Sequence, residues 1–135
     1  MSLPNSVNDV MRFLRAAGLV WEELRDGPGP NEMLLYHGPV VDVRIVSDRG
    51  IWYIECSDSR GNQKEWYDVA LVKLLLCGDT PDILTIEEQA QFVVKCWNEV
   101  LDLFEPSNAQ DTHSKLSLLR QERMRRRLPN LRLNT

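Results

Sequence analysis

The amino-acid sequence predicts an α+β fold, and two features carry this prediction. Apolar residues recur at steps of three and four near the N-terminus and again over 84–105, which is the periodicity of an amphipathic helix. Between these segments, residues 19–67 are rich in Val, Ile, Trp and Tyr and are interrupted by Gly, Pro, Asp and Asn, as in short strands joined by turns. We therefore expect an N-terminal helix, an antiparallel meander of about five strands, a short buried helix and two C-terminal helices.

The N-terminal helix is predicted over 7–17. Ser6 followed by Asp9 is typical of a helix start, because a serine oxygen accepts an otherwise unpaired backbone N–H and an acid favours the positive end of the helix dipole. Gly18 follows at the position where glycine commonly ends a helix. The apolar residues that share one face of this helix are Val7, Val10, Met11, Leu14 and Ala17.

Five strands are predicted, at 19–25, 32–37, 40–47, 51–57 and 63–67. In the third strand Val41, Val43 and Ile45 point to one side, whereas Asp42 and Arg44 point to the other, so this strand should have one solvated face. The sequence "SDRG" predicts a four-residue hairpin connection, and "SDSRGN" a slightly longer one. This pattern predicts an antiparallel meander in which one apolar face of the sheet is available for the helices to pack on.

A short apolar helix is predicted over 69–77. Asp68 precedes it as an N-cap and Gly78 ends it. The segment is apolar nearly all round, which indicates burial between layers, and a buried strand is the competing interpretation for so short a run. Under either interpretation the segment is structural.

The clearest predicted helix runs through 84–105 and ends before Pro106. Thr85 and Glu88 form a capping box, and Leu84 stands where the apolar residue of a hydrophobic staple belongs. Its apolar stripe comprises Ile86, Ala90, Val93, Val94, Trp97, Val100, Leu101 and Phe104. So broad a stripe favours packing against both a sheet and a second helix, or against a second subunit.

The charge distribution divides the chain into an acidic body and a basic tail. Residues 1–110 carry nine Lys or Arg against eighteen Asp or Glu, and residues 111–135 carry seven against two. We expect one α+β domain over 1–106, then a polar joint and a basic helix or tail over 107–135, with the helix at about 112–127. Within this basic tail, the arginines of the predicted helix are Arg120, Arg123, Arg125, Arg126 and Arg127.

A basic helix of this kind can bind nucleic acid, because lysine and arginine neutralise phosphates. The acidic body repels the same phosphates, and the tail has no aromatic residue for stacking on bases. We therefore favour a tail that is solvated or that docks on an acidic surface of the same chain or of another copy. A homodimer through the C-terminal helices remains open.

The common catalytic and cofactor motifs are absent from the sequence. It contains no phosphate-binding loop, GxGxxG, HExxH or GxSxG, and no CxxC pair. We expect no cofactor, no metal site and no catalytic residue. Cys56, Cys77 and Cys96 each lie in apolar surroundings, which is typical of free structural thiols in a reducing compartment.

Secretory and membrane-spanning signals are absent from the sequence as well. The N-terminus has no basic segment followed by an apolar one, and no stretch reaches about 18 consecutive apolar residues. A soluble cytoplasmic protein without a membrane partner is the expectation. An enzyme site near His37 and Cys56, with the thiol as nucleophile and the imidazole as base, is an alternative.

Two aromatic pairs on the strands are candidate contacts for a partner protein. Trp52 and Tyr53 are adjacent, as are Trp66 and Tyr67, so the members of each pair point to opposite faces. If helices cover one face alone, either Tyr53 and Trp66 or Trp52 and Tyr67 remain near solvent. A sheet covered on both faces is the alternative. The residues predicted to bind a partner are Trp66, Tyr53, Glu22 and Glu23.

The segments "FLRAAGLVWEEL", "EWYDVALVKLLLCGD" and "LTIEEQAQFVVKCWNEVLDLF" give an order of helix, strands and helices over about 7–105. This order resembles small bacterial α+β proteins of the toxin-immunity type and, more loosely, secretion-chaperone-like domains. The resemblance implies an acidic protein that occludes a partner and needs no catalytic residue. We therefore expect a non-catalytic interaction protein with a basic protein partner, with nucleic-acid binding through the arginine-rich helix as the alternative.

Overall fold

The computed structural model describes residues 3–26, 32–60 and 64–127. Within these residues the chain forms five strands and five helices. In chain order they are α1 (Asn5–Ala16), β1 (Val20–Asp26), β2 (Glu32–His37), β3 (Val41–Asp48), β4 (Ile51–Asp58), β5 (Tyr67–Asp68), α2 (Val69–Cys77), α3 (Ile86–Lys95), α4 (Trp97–Leu103) and α5 (Ala109–Arg127). The predicted α+β layout is confirmed.

The sheet is an antiparallel meander in which the strand order β1-β2-β3-β4-β5 follows the chain. A bulge interrupts the pairing of β1 with β2 between Trp21 and Glu23. The fifth strand is shorter than predicted, since only Tyr67 and Asp68 pair with β4. The backbone carbonyl of Trp66 does not pair with β4. It accepts a hydrogen bond from the Arg120 side chain at 2.5 Å instead. Position 63 of the predicted strand lies outside the described residues.

One face of the sheet, here called the inner face, carries the core. Its buried side chains are Leu34, Tyr36, Val41, Val43, Ile45, Ile54, Cys56 and Tyr67. All five helices contribute to the same hydrophobic cluster, from Val7 in α1 to Leu116 in α5, and both of these side chains are fully buried. The helices therefore cover the inner face, and the opposite, outer face is left to polar and half-buried residues.

The third strand departs from the predicted pattern at one position. Val41, Val43 and Ile45 are buried on the inner face as predicted, and Arg44 lies on the outer face. Asp42 also points to the outer face but is only 3% exposed, so the prediction of a solvated side chain is wrong there. Its burial is explained by three hydrogen-bond donors described below.

The first helix begins earlier than predicted. Pro4 is its N-cap residue, and the Pro4 carbonyl accepts the Asn8 N–H at 3.1 Å, without any side-chain cap. The predicted cap at Ser6 is therefore wrong, because Ser6 already lies inside the first turn. Gly18 ends the helix as predicted. Its φ is 94°, and its N–H donates to the backbone carbonyl of Arg15 at 3.0 Å.

The later helices show the predicted local signals. Asp68 accepts the Leu71 N–H at 3.1 Å, and Gly78 has φ of 80°, so 69–77 is the helix α2 and not a strand. The capping box is formed, with Thr85 Oγ1 accepting from Glu88 N at 3.1 Å and Glu88 Oε1 from Thr85 N at 2.9 Å. The predicted single helix is divided at Cys96, whose φ is −112° and ψ 23°, into α3 and α4.

The β3–β4 hairpin is tighter than predicted. Asp48 pairs with Ile51, so the loop consists of Arg49 and Gly50 alone. Both have positive φ, at 55° and 81°, as a type I′ turn requires. The predicted four-residue connection is therefore two residues too long, because Ser47 and Asp48 belong to β3.

None of the helices within the described ranges is both long and apolar enough to cross a membrane.

Candidate protein-interaction surfaces

The centre of the outer face is an ion pair beneath an aromatic ring. Arg44 Nε donates to Glu55 Oε1 at 2.5 Å, and the two side chains are 27% and 14% exposed. The Arg44 guanidinium also lies 4.5 Å from the centroid of the Trp66 ring, within the range of a cation–π contact. The charge of Arg44 is thus neutralised by Glu55, and its guanidinium is covered by the Trp66 ring.

Apolar side chains surround this ion pair. Half-buried examples are Met33, Leu35, Val46 and Tyr53, and Val20 and Ile51 at the margins are 65% and 69% exposed. Among the described residues, none of these six belongs to the hydrophobic cluster that the helices form with the inner face. The outer face is therefore a partly apolar, aromatic surface outside that cluster, and at its β4 side Ile51 and Tyr53 line a cleft together with Arg123 of α5.

The structure distinguishes between the two possible pairs of exposed aromatics. Tyr67 is buried and Trp52 packs against the core, so Tyr53 and Trp66 are the pair on the outer face. Burial raises the pKa of Tyr53, and the nearby carboxylate of Glu55 adds to this effect. The partner-binding role of Tyr53 and Trp66 stays a prediction.

The other two predicted partner residues lie in β1. Glu22 is at the bulge, and Glu23 pairs in register with Leu35. The side chains of Glu22 and Glu23 lie outside the described part of the chain.

A buried carboxylate organises one end of the outer face. Asp42 accepts from His37 Nδ1 at 2.7 Å, from Lys64 Nζ at 2.5 Å and from the backbone N–H of Gly38 at 3.2 Å. Lys64 Nζ also donates to the Asp58 carbonyl at 3.0 Å. The carboxylate thereby ties the β2–β3 turn to the segment after β4. A cleft of about 330 Å³ lies beside it, lined in part by His37, Lys64 and Trp66.

This cluster was not predicted from the sequence. Lys64 is 22 positions from Asp42, and the alternation of β3 indicated a solvated acid. The sequence feature that could have found it is the short "HGPVVD" segment, because a turn of that length brings the first and last side chains to neighbouring positions on adjacent strands.

The structure does not bring His37 and Cys56 together. His37 is half-exposed on the outer face, bound to Asp42, whereas Cys56 is buried on the inner face two strands away. Burial raises the pKa of the Cys56 thiol to about 12, and the charges of Glu55 and Asp68 act in the same direction. Because the two side chains lie on opposite faces of the sheet, the Cys56–His37 arrangement has no geometric support. A buried thiol with a raised pKa is also a poor nucleophile at neutral pH.

The other cysteines differ from each other. Cys96 is partly buried, but Cys77, the last residue of α2, is exposed, although its sequence neighbours are apolar. The described residues contain no group of three or more His, Cys, Asp or Glu placed to hold a metal ion.

Three arginines of α5 bind acidic or carbonyl groups of the body. Arg123 donates to both carboxylate oxygens of Asp68, at 3.0 and 2.6 Å, and this pairing raises the pKa of Arg123. Arg120 donates to Glu65 at 3.3 Å and lies 4.7 Å from the centroid of the Tyr67 ring. Arg126 donates to Asp82 at 2.8 Å.

The docking of α5 is completed by apolar and polar contacts near its start. Leu116 is fully buried, and Thr112 Oγ1 donates to the Leu103 carbonyl at 2.6 Å. His113 Nδ1 lies 2.9 Å from Tyr67 Oη, and its Nε2 lies 3.7 Å from Asp58. The described part of the basic helix therefore finds its counter-charges on its own body, and Arg125 and Arg127 are the arginines of the predicted set that remain exposed without such a pair.

Comparison of the chain with protein-family models, with curated proteins and with solved structures found no match in any of the three.

Proposed function

We propose that this protein is a non-catalytic interaction protein whose outer face contacts a protein partner. One observation carries the proposal, namely the uncovered sheet face on which Tyr53 and Trp66 lie among half-buried apolar side chains. Tryptophan and tyrosine are enriched among the residues that dominate protein interfaces, because they bury a large area at low entropic cost. Contacts of this kind need no catalytic group.

The partner is expected to be basic. The whole chain carries a formal charge of −4, although α5 contributes an excess of arginines. Three of those arginines form ion pairs with acids of the body, so they add little positive charge to the surface. The surface charge is therefore set mainly by the acids that have no such pair. Opposite charge accelerates encounter and discriminates against acidic proteins. A role of the immunity or chaperone type, in which binding itself occludes the partner, is consistent with this arrangement.

The free thiols agree with a cytoplasmic location, where cysteines stay reduced. We include this location in the proposal.

The test uses the products of genes adjacent to the one that encodes this chain, purified one by one. Binding is measured by calorimetry for the wild type, for the double variant Trp66→Ala with Tyr53→Ala, and for the control Val94→Ala, an exposed apolar position in α3. We expect the double variant to bind at least about tenfold more weakly and the control to be unchanged. A complex that both variants form with wild-type affinity contradicts the proposal. Circular dichroism checks that each variant is folded.

A further inference from the structure

A second surface lies among the helices, away from the outer face. It is a groove of about 380 Å³ between the last turns of α2 and α4 and the first half of α5. Its floor is formed by Leu75, Leu76 and Leu103, which are partly buried against the core and partly open to the groove. Three leucines at the base of one depression can receive apolar side chains of another molecule.

The rim of this groove is acidic. Glu99, Asp102 and Asp111 line it, with Lys115 as the one cationic side chain in the lining. Lys115 pairs with Asp111 at 2.8 Å. Within the described residues, Glu99 and Asp102 have no ion-pair partner, so the rim keeps two uncompensated negative charges beside an apolar floor.

The two helices that end here add to the negative potential. The C-terminal carbonyls of a helix carry a partial negative charge that a nearby cation offsets. Neither α2 nor α4 has a basic residue in its last turn. The arginines that pair with the body lie in the second half of α5 and reach Glu65, Asp68 and Asp82, not this groove. Within the described residues the groove therefore keeps a negative potential.

We propose that this groove binds a cationic segment of a partner protein, with leucine-like side chains on the floor and lysine or arginine at Glu99 and Asp102. An amphipathic basic helix supplies both features at helical spacing. The proposal rests on the protein-binding function proposed above for its biological use, since it gives a basic partner a second point of attachment. The binding itself is measurable without that partner.

The probe is a synthetic amphipathic peptide with leucines along one helical face and lysines along the other, titrated into the full chain. We expect saturable binding that weakens as salt rises and that shifts the methyl resonances of Leu75, Leu76 and Leu103. The double variant Glu99→Lys with Asp102→Lys should bind at least about tenfold more weakly. The matched control, Asp48→Lys with Glu87→Lys, makes the same change of net charge at exposed acids outside the groove lining and should retain the affinity.

Four outcomes overturn the proposal. They are no saturable binding, an equal loss in both double variants, undiminished binding of a peptide whose leucines are replaced by serine, and self-association of the chain that the Glu99 and Asp102 changes abolish. The last outcome assigns the groove to a second copy. Trp66→Ala with Tyr53→Ala should leave peptide binding unchanged, so this proposal and the outer-face proposal fail independently.

Discussion

Arg123 and Asp68 form a two-point ion pair in which two guanidinium nitrogens donate to the two carboxylate oxygens, at 3.0 and 2.6 Å. Asp68 Oδ1 also accepts the Leu71 N–H at 3.1 Å and so caps α2. Because β5 ends at Asp68, one carboxylate links the edge of the sheet, the start of a buried helix and the basic helix α5.

Substitutions at Asp68 should separate the cap from the ion pair. Asp68→Asn keeps an oxygen that can cap the helix but loses the charge pair, so we expect a loss of about 1 kcal/mol in the free energy of unfolding. Asp68→Ala loses both interactions and should cost about 2 kcal/mol. Urea denaturation measures both values.

The matched control is Asp82→Ala, which removes the more exposed pair with Arg126. We expect a smaller loss there than at Asp68, since exposed ion pairs contribute little. Wild-type stability of Asp68→Asn would show that the Arg123 pair does not hold α5 to the body.

Asp58 should make the fold sensitive to acid. Burial acts to raise the pKa of Asp58, but hydrogen bonds from the backbone and side chain of Arg60, with the charges of Arg60 and His113, lower it overall. A carboxyl whose folded pKa is depressed stabilises the fold above its unfolded pKa of about 4, and this contribution is lost as pH falls through the folded pKa.

The unfolding free energy of the wild type should fall as the pH is lowered below about 4, and we expect Asp58→Asn to make this fall less steep. Arg60→Gln should flatten it in part, because the backbone N–H of position 60 still donates to the carboxylate at 3.0 Å. Chemical denaturation at a series of pH values gives the slope. An Asp58→Asn variant with the full wild-type slope would contradict the assignment.

The three cysteines should react with a thiol reagent in the order Cys77, Cys96, Cys56. Cys77 is exposed, and burial raises the pKa of Cys96 with help from Glu99. Cys56 is fully buried with its pKa raised to about 12, so it should react only on unfolding. Absorbance after addition of an aromatic disulfide at mildly alkaline pH follows the reaction. Cys77→Ser should abolish the fast phase, and its persistence would contradict the placement of Cys77.

The parts of the fold that were predicted correctly depend on residues close together in the chain. The Thr85–Glu88 capping box joins positions three apart, and the Asp68 cap joins positions three apart as well. The alternation of side chains along a strand correctly predicted that Tyr53 and Trp52 point to opposite faces of the sheet. It could not predict which of the two faces the helices cover. That choice is set by helix–sheet packing, whose contacts are distant in sequence.

The error at Asp42 has the same cause, whereas the errors at Ser6 and at the β3–β4 turn are local. Asp42 alternates with valines as a solvated residue does, and its burial depends on Lys64. The charge imbalance of the chain is visible in the sequence, but the matching of Arg120, Arg123 and Arg126 to Glu65, Asp68 and Asp82 spans 44 to 55 positions. A sequence therefore predicts that a basic helix needs counter-charges, while the fold decides which acids supply them.

Gln89 is the clearest polar residue whose role depends on the fold, and its loss should be costly. It is 6% exposed, its Oε1 accepts the Ile54 N–H of β4 at 2.8 Å, and its Nε2 donates to the Leu84 carbonyl at 3.0 Å. Gln89→Leu keeps the size but leaves two buried backbone groups unpaired, so unfolding free energy should fall by about 2–4 kcal/mol. Gln91→Leu, at an exposed position of the same helix, is the control and should change stability little. Equal urea midpoints for the two variants would mean that the β4 edge does not depend on this amide.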